Sequence, residues 1–260
     1  GQFNMDLKEA VIIITGGGTG VGSACAHALA KCGARIVISY NKSEEGALHT
    51  KKKCNTAGGD AITVQGDVSI DDDCKNIVAE AIGKWGRIDG LVNNAGITKF
   101  AAPNDLDALS SQDFIDLYST NVVGTYQMIR ACSKYLKTSG GSIVNVSSIA
   151  GIKGIGSSTA YIASKAALNA MTIALARALA PEIRVNAVCP GLVDTEWHSK
   201  RYSQEEYKSF LERYEKTVPL GAAAKPEDIA ETILWLISSA KLITGETVLI
   251  DAGLHLGKPM

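Results

Sequence analysis

The sequence predicts an α/β fold in which helices cover both faces of a doubly wound parallel sheet of about seven strands. The first observation is the run Val11–Ile14, four consecutive β-branched residues, which is typical of a strand buried on both faces. The second is the segment that follows it, a glycine-rich turn and then an amphipathic stretch to Lys31. The third is that this order of strand and then helix repeats along the chain, as it does in proteins with parallel sheets.

The remaining elements follow from the same alternation of short apolar runs and longer amphipathic segments. We predict further strands at about 34–39, 61–65, 89–93, 142–147, 183–189 and 246–250. We predict helices at about 43–56, 111–138, 160–180 and 226–239, and another that begins with the acidic residues 71–73. Because the composition does not shift anywhere, we expect one domain over residues 1–260.

Residues 194–219 interrupt the alternation of strands and helices. This segment carries five aromatic residues among many charged ones, so it is too polar for a core helix and too aromatic for a plain linker. We interpret it as one or two mobile helices that form a lid over a substrate site. The alternative is a pair of surface helices with a few packed aromatic side chains.

Composition excludes several classes of function. The 26 basic and 27 acidic side chains give no net field that would favour nucleic acid or an anionic membrane. No apolar run approaches the ~20 residues of a membrane span, and no signal peptide is visible. The six cysteines are scattered, so we expect buried thiols in a reducing cytoplasm. The four histidines lack the spacing of metal ligands, and we predict no metal site.

Three polar residues near the middle of the chain are candidates for proton chemistry. Tyr161 and Lys165 lie four apart at the start of a predicted helix, so their side chains share one face. A free phenol has a pKa near ~10, and a cation close by lowers that pKa. Ser148, at the end of the preceding strand, could hydrogen-bond the same substrate oxygen. The alternative is a lysine that extends past a half-buried tyrosine to solvent.

The turn after the first strand is a candidate phosphate site. It runs Thr15-Gly16-Gly17-Gly18-Thr19-Gly20-Val21-Gly22 between a strand and a helix. Small residues let the backbone approach a pyrophosphate, and the helix N-terminus supplies N–H donors. The predicted ligands of the cofactor in this turn are Gly16, Gly18, Thr19, Gly20, Val21 and Gly22. A glycine-rich turn by itself could also be ordinary loop structure.

The end of the second strand indicates which dinucleotide binds. An acidic residue at this place would bind the adenosine ribose and favour NAD. The sequence instead has Tyr40-Asn41-Lys42-Ser43, which offers an amide, a cation and a hydroxyl to a 2′-phosphate. NADP is therefore the predicted cofactor, although two glutamates follow immediately and NAD remains possible. The alternative is that these residues simply begin a solvated helix.

Together these motifs resemble the short-chain dehydrogenase/reductase family, in its compact single-domain branch. The glycine turn resembles the Thr-Gly-x-x-x-Gly-x-Gly loop of that family, and Ser148 with Tyr161 and Lys165 resembles its Ser…Tyr-x-x-x-Lys centre. Three shorter motifs match in the same order along the chain: Gly66-Asp67-Val68, Asn93-Asn94-Ala95-Gly96 and Pro190-Gly191-Leu192-Val193-Asp194-Thr195. The resemblance covers about residues 7–253 and implies a Rossmann-like fold.

The resemblance also implies roles for these residues. Asp67 and Val68 would contact the adenine, and Asn94, Ala95 and Gly96 would lie beside the adenosine ribose. The nicotinamide amide would be held by Pro190, Gly191, Val193 and Thr195. Lys165 would also bind the nicotinamide ribose, and Asn121 would hold a water in a proton relay that leads to Lys165.

The function that the resemblance implies is hydride transfer between NADP(H) and a small-molecule carbonyl or secondary alcohol, with Tyr161 as general acid and base. A 3-oxoacyl-acyl carrier protein reductase and an NAD-dependent sugar or polyol dehydrogenase are alternatives within the enzymes. A non-catalytic nucleotide-binding scaffold or sensor is the alternative outside them. We also expect a homotetramer, because members of the family commonly pair the helices predicted at 111–138 and 160–180.

Overall fold

The computed structural model describes residues 5–257, so the domain range predicted from the sequence extends at both ends beyond the described residues. One sheet of seven parallel strands forms the centre of the molecule. Its strands are β1 Val11–Ile14, β2 Arg35–Tyr40, β3 Asp60–Gln65, β4 Gly90–Asn93, β5 Ser142–Val146, β6 Arg184–Pro190 and β7 Thr247–Ile250. The order across the sheet is β3-β2-β1-β4-β5-β6-β7, which confirms the predicted doubly wound fold.

Ten α-helices connect and cover the strands within the described residues. They are α1 Gly20–Lys31, α2 Glu44–Thr56, α3 Asp71–Trp85, α4 Ser111–Tyr118, α5 Thr125–Ser139, α6 Ala150–Lys153, α7 Thr159–Leu179, α8 Glu196–Ser199, α9 Gln204–Glu215 and α10 Pro226–Ser238. In this part of the chain, no helix combines the length and the apolar character that a membrane crossing requires.

Both faces of the sheet are buried, because successive side chains of a strand point to opposite faces. In β1, Ile12 and Ile14 pack in one apolar cluster, which includes Leu29 of α1 and Ile233 of α10. The other two residues of β1, Val11 and Ile13, belong to a second cluster with side chains from α3 and α5. Full burial of one such side chain contributes roughly 1.5–3 kcal/mol. The sheet therefore holds its strand ends in fixed positions, and the candidate site lies at one of those edges.

The helix predicted at 111–138 is not continuous. Residues Ser119–Gly124 form a π-helical segment between α4 and α5. At its end, Gly124 leaves no room for a side chain, because a Cβ there would lie 2.6 Å from Val68 Cγ2. The hydrogen bonds of a π segment span five residues and not the four of an α-helix, and the extra residue changes the direction in which neighbouring side chains point. Asn121 lies in this segment, and it is 1% exposed.

The 194–219 segment contains the two helices α8 and α9, and the sequence predicted one or two helices in this segment. Tyr202, Tyr207 and Phe210 stack on one another in this segment, with ring centroids 5.3–6.2 Å apart. The segment lies beside the carboxyl end of β6, because the Tyr214 hydroxyl accepts a hydrogen bond from the N–H of Leu192, two residues after that strand. It is therefore packed against the sheet edge at which the strands end.

Two glycines should respond to alanine in opposite directions. A Cβ on Gly59 would lie 2.7 Å from the Cβ of Ala30 and 2.8 Å from the carbonyl oxygen of Ala34. Gly59→Ala is therefore expected to lower the unfolding free energy by about 1–3 kcal/mol. Gly83 is exposed within α3, and a Cβ added there would meet no atom within 4 Å. Gly83→Ala is therefore expected to raise the unfolding free energy by roughly 0.5–1 kcal/mol. Urea denaturation of both variants checks this. Equal effects in the two variants would contradict the packing described for Gly59.

Candidate active site

A large cavity opens at the carboxyl edge of the sheet, where the strand order reverses between β1 and β4. Open parallel sheets bind their ligands at such a switch point. The cavity has a volume of about 1940 Å³. The predicted residues that line it are Gly16, Gly18, Thr19, Gly20, Val21, Tyr40, Asn41, Lys42, Ser43, Asp67, Val68, Asn94, Ala95, Gly96, Ser148, Tyr161, Lys165, Pro190, Gly191, Val193 and Thr195.

Two predicted residues, Gly22 and Asn121, do not line the cavity. Gly22 is buried in the first turn of α1, where a Cβ would lie 2.3 Å from the carbonyl oxygen of Gly16. Its observed contribution is close packing of α1 against the turn, and its contact with a cofactor stays a prediction. Gly16 has a φ of +60°, which only glycine adopts without strain.

The turn before α1 is built to receive an anion. The first turn of α1 carries no acidic side chain, so no carboxylate neutralises the N–H groups at this end. Gly18 approaches α2 closely, since a Cβ there would lie 3.0 Å from the backbone nitrogen of Ala47. A chain with side chains at these positions could not bring its backbone against a pyrophosphate. The residues present thus fit the phosphates of a dinucleotide.

The glycine turn is fastened to the turn after β4 by hydrogen bonds that the sequence did not predict. The Thr15 hydroxyl accepts from the backbone N–H groups of Asn94 at 3.1 Å and Ala95 at 3.0 Å. Asn94 Nδ2 donates to the Gly16 carbonyl oxygen at 2.9 Å. Thr15 directly precedes the glycine run, and this position in the sequence could have indicated that Thr15 has a structural role there. These bonds hold two loops that border the cavity in a fixed relation.

The ends of β2 and β3 meet at one side of the cavity, where the sequence predicts the adenosine. Asn41 Nδ2 donates to Asp67 Oδ2 at 3.2 Å, and Gln65 Nε2 donates to the Asn41 carbonyl oxygen at 3.0 Å. Lys42 is exposed and has no ion pair among residues 5–257. This corner therefore presents an ammonium group that is available to an anion.

Ser148, Tyr161 and Lys165 converge where β5 ends and α7 begins. Ser158 starts α7, and its hydroxyl accepts from the N–H of Tyr161 at 3.2 Å. The Ser148 hydroxyl lies near enough to the Tyr161 phenol to act on its pKa. Lys165 is 5% exposed, and its Nζ donates to the carbonyl oxygen of Val146 at 3.0 Å. The three predicted polar side chains are thus adjacent at the wall of the cavity.

The prediction that Lys165 lowers the pKa of the Tyr161 phenol is wrong for the protein on its own. Desolvation raises the pKa of Tyr161 to about 12, and the hydrogen bond from Ser148 only partly opposes this. Lys165 Nζ lies 5.6 Å from the centroid of the Tyr161 ring and is directed to the Val146 carbonyl. Burial also lowers the pKa of Lys165 to about 8. Desolvation by burial is therefore the largest cause of both pKa shifts.

Asn121 connects the loop after β4 with α7. Its Oδ1 accepts from the N–H of Ile97 at 2.8 Å, and its Nδ2 donates to the Ile97 carbonyl oxygen and to Ser164 Oγ, both at 3.0 Å. Both amide protons of Asn121 are therefore used within the protein. Ser164, which immediately precedes Lys165, was missed by the sequence analysis. In the structure Asn121 therefore links Ile97 to Ser164, the residue that precedes Lys165.

The segment after β6 presents free polar groups to the cavity. Ala224 forms an isolated parallel bridge with Val193, and it bonds the neighbouring Leu192 and Asp194 through their backbones. Among the described residues, neither the N–H of Val193 nor the hydroxyl of Thr195 has a hydrogen-bond partner. A carboxamide, with one acceptor and two donor protons, matches such groups.

Aromatic side chains border the cavity next to Tyr161. The Trp197 ring packs edge-to-face on Tyr161, with centroids 6.4 Å apart. Phe100 packs edge-to-face on His198 at 6.3 Å. Ile149 and Ile155 also line the cavity. The cavity wall beside Tyr161 therefore carries aromatic and aliphatic side chains.

Replacement of Lys165 by methionine should stabilise the folded protein at neutral pH. Folding buries the Lys165 charge, so this lysine loses its proton near pH 8 when folded but near 10.5 when unfolded. Between these values the unfolded chain binds more protons, so the stability of the unmodified protein rises with pH. We expect Lys165→Met to raise the unfolding midpoint at pH 7 by roughly 3 °C, the equivalent of about 1 kcal/mol. The gain should shrink from pH 8 to 10.

Thermal unfolding across this pH range measures the effect, and Lys52→Met provides the control because Lys52 is exposed on α2. A gain for Lys165→Met that grows with pH would contradict the assignment of a buried charge at this position.

Comparison with known proteins agrees with the geometry. A family model described as enoyl-(acyl carrier protein) reductase matches residues 16–255. A protein of Streptomyces violaceoruber described as a ketoacyl reductase of the granaticin polyketide synthase is 39% identical over 253 residues, which are 96% of this chain and 98% of the relative. An L-rhamnose 1-dehydrogenase (NAD(P)(+)) of Azotobacter vinelandii is 36% identical over 259 residues, and the match covers 97% of this chain and 99% of the relative.

A solved structure supports the same conclusion. It is described as a short-chain dehydrogenase/reductase from Burkholderia xenovorans, and it shares 37% identity and a TM-score of 0.90, with 95% of this chain and 98% of that chain covered. The chain belongs to the short-chain dehydrogenase/reductase family of oxidoreductases, which use NAD(P) and act on CH–OH and C=O groups.

Proposed function

We propose that this protein transfers a hydride between NADP(H) and a small ketone or secondary alcohol, with Tyr161 as general acid and base. The observation that carries the proposal is the convergence of Ser148, Tyr161 and Lys165 at the cavity wall, opposite the glycine turn. These residues supply proton chemistry, and the turn supplies a phosphate site. Among the described residues, no other group around this cavity combines a phenol, a hydroxyl and a buried ammonium.

Each side chain has one task in the proposed reduction. A nicotinamide held by Val193 and Thr195 would supply the hydride, and its oxidised form would bring a positive charge. Ser148 and Tyr161 hydrogen-bond the carbonyl oxygen, and Tyr161 gives it a proton while the carbon accepts the hydride. Lys165 then lies beside a phenolate, which its ammonium stabilises. Oxidation of the alcohol follows the same path in reverse, with Tyr161 as the base.

The role of Asn121 within this proposal is to keep the loop after β4 and Ser164 in place. One lone pair of its Oδ1 remains beside the N–H of Ile97, and a water bound there could pass protons towards Lys165. A Cβ on Gly96 would lie 3.3 Å from Asn121 Oδ1 and 3.6 Å from Lys165 Nζ. Gly96 therefore borders both groups, and its lack of a side chain leaves the space between them open.

NADP is the proposed cofactor because the ends of β2 and β3 bring no free carboxylate to the ribose. The Asp67 carboxylate accepts hydrogen bonds from Asn41 and Ser69, whereas the Lys42 ammonium has no ion pair in the described chain. Glu44 and Glu45 lie in the first turn of α2 and oppose this preference. The relative from Azotobacter vinelandii carries both cofactors in its name, and NAD is the alternative.

A ketone with an apolar or ring-shaped body is the proposed substrate, because Trp197 and Phe100 border the cavity. The relative described as a ketoacyl reductase favours this class, and the relative named for L-rhamnose favours a sugar as the second candidate. A carrier-protein partner needs free basic surface. Arg130 is already paired with Asp71 at 2.6 Å, which argues against that partner. We propose that the 194–219 segment closes over this substrate as a lid.

The competing proposal, a non-catalytic nucleotide-binding scaffold, is tested by Tyr161→Phe. This change removes one hydroxyl and keeps the ring that packs on Trp197. If Tyr161 is the proton donor, turnover should fall roughly 10²–10⁴-fold while NADP(H) binding persists. Tyr135→Phe is the matched control, because Tyr135 packs against the core away from the cavity. Activity is measured with a panel of ketones and alcohols by cofactor absorbance. Equal turnover of the two variants would refute the mechanism.

Cofactor choice is tested at Tyr40. We expect unmodified protein to bind NADP(H) more tightly than NAD(H), and Tyr40→Asp to shift the preference towards NAD(H) at least about tenfold, because the new carboxylate repels a 2′-phosphate. Tyr40→Phe keeps the ring without a charge and should leave the preference unchanged. Calorimetric titration gives both dissociation constants. Tighter binding of NAD(H) by the unmodified protein would show that the proposed preference is wrong.

We propose one domain and a symmetric tetramer in the reducing cytoplasm. All six cysteines are unpaired, which suits that compartment. Large apolar side chains are exposed on the α4–α5 side, where Ile115 is 55% and Tyr118 is 49% exposed, and Ile173 of α7 is 47% exposed. Such apolar surface marks contact sites. Sedimentation at micromolar concentration should show a tetramer, and a monomer alone would contradict the proposed assembly.

A further inference from the structure

Two tyrosines of α9 reach the chain segment that follows β6. Tyr207 and Tyr214 lie seven residues apart on this helix, and seven residues are close to two full turns. Their side chains therefore leave α9 on the same side. Both hydroxyls end at residues 191–194, which lie between β6 and α8 and line the cavity.

The two hydroxyls make specific hydrogen bonds to this segment. The Tyr214 hydroxyl accepts from the N–H of Leu192 at 3.2 Å. It also lies against Gly191, where a Cβ would come within 3.0 Å of the Tyr214 oxygen. The Tyr207 hydroxyl donates to Asp194 Oδ1 at 2.8 Å. The helix is thus attached on either side of Val193.

Backbone bonds to Ala224 hold the same residues. The N–H of Ala224 donates to the Leu192 carbonyl oxygen at 3.2 Å, and the N–H of Asp194 donates to the Ala224 carbonyl oxygen at 2.8 Å. In a parallel bridge of this kind, the central residue directs its own N–H and C=O away from the bridge partner. Val193 therefore turns its N–H away from Ala224, and within residues 5–257 that N–H has no acceptor.

We infer that Tyr207 and Tyr214 are positioning residues, which hold the 191–194 segment so that Val193 and Thr195 present their free N–H and hydroxyl groups to the nicotinamide carboxamide. This inference rests on the proposed function. Tyr207 and Tyr214 act through the segment and not by contact with the reacting atoms. Without their hydroxyls, Leu192 loses its acceptor and Asp194 loses a donor, so the segment gains freedom.

The stack of Tyr202, Tyr207 and Phe210 allows the hydroxyl of Tyr207 to be tested separately from its ring. Phenylalanine at position 207 keeps the stack, whose centroids lie 5.3–6.2 Å apart. Tyr202 belongs to the same stack, but its hydroxyl makes no hydrogen bond in the described chain. Tyr202→Phe is therefore a matched control that removes a hydroxyl from the same segment.

The experiment compares two ligands by calorimetric titration of the full-length variants. NADP⁺ contains the nicotinamide, and adenosine 2′,5′-bisphosphate lacks it. We expect Tyr207→Phe and Tyr214→Phe to weaken NADP⁺ binding at least about fivefold each, the value of one net hydrogen bond. Binding of the adenosine fragment should stay within about twofold, because the hydroxyls of Tyr207 and Tyr214 bond to Asp194 and Leu192 and not to the glycine turn or to the ends of β2 and β3. Tyr202→Phe should leave both ligands unaffected.

A second pair of variants tests the bond between Tyr207 and Asp194. Asp194→Asn keeps an acceptor for the phenol and should retain NADP⁺ affinity, whereas Asp194→Ala should weaken it as much as Tyr207→Phe. The double change Tyr207→Phe with Asp194→Ala should then cost no more than either single change, since both remove the same interaction. Additive losses would show that the two side chains act independently.

The outcomes separate this inference from the proposed function. If the unmodified protein binds no nicotinamide dinucleotide, the proposed function falls and the inference falls with it. If the unmodified protein binds NADP⁺ and the two phenylalanine variants bind it equally well, the inference alone is overturned. Equal weakening of NADP⁺ and of the adenosine fragment also overturns it, because that result indicates a general loss of structure.

Discussion

The buried ammonium group of Lys165 is the constraint on which the candidate site depends. An isolated charge in a protein interior is costly, and here the pKa of Lys165 falls to about 8 because of burial. The single hydrogen bond to the Val146 carbonyl offsets only part of that cost. Lys165 is carried by α7 beside the end of β5, and Ile143 and Val144 of that strand belong to the two apolar clusters on the faces of the sheet. A phenolate at Tyr161 would give that charge a partner, but burial raises the pKa of Tyr161 to about 12, so the protein on its own keeps the phenol protonated.

The two halves of the cavity are held in different ways. On the phosphate side, backbone approaches backbone, with Gly22 against Gly16 and the Thr15 hydroxyl fastened to the turn after β4. Such contacts leave little freedom and suit the part of a dinucleotide that does not react. On the proposed nicotinamide side, α9 is attached to the chain through the hydroxyls of Tyr207 and Tyr214. Side-chain bonds of this kind can break and re-form, as the proposed movement of a lid requires.

Sequence reasoning located the sheet and most of the cavity lining, because both depend on local patterns. The run Val11–Ile14 and the glycines after it define a strand and a turn without reference to the rest of the chain. The π segment around Asn121 was invisible, since one extra residue in a turn leaves the apolar pattern of the flanking helices intact. The raised pKa of Tyr161 was missed for a different reason. A sequence shows that a lysine is near but does not show how much water the fold removes from both groups.

The central claim is that the Tyr161 phenol is an acid and base whose pKa is set by burial and by the charge of the oxidised cofactor. The most direct measurement is a pH titration of phenolate ultraviolet absorbance with and without NADP⁺, as the difference between the unmodified protein and Tyr161→Phe. The account predicts a phenol that titrates near pH 12 without the cofactor and below the ordinary value of ~10 with it. A phenol whose pKa does not change when NADP⁺ binds would contradict the account.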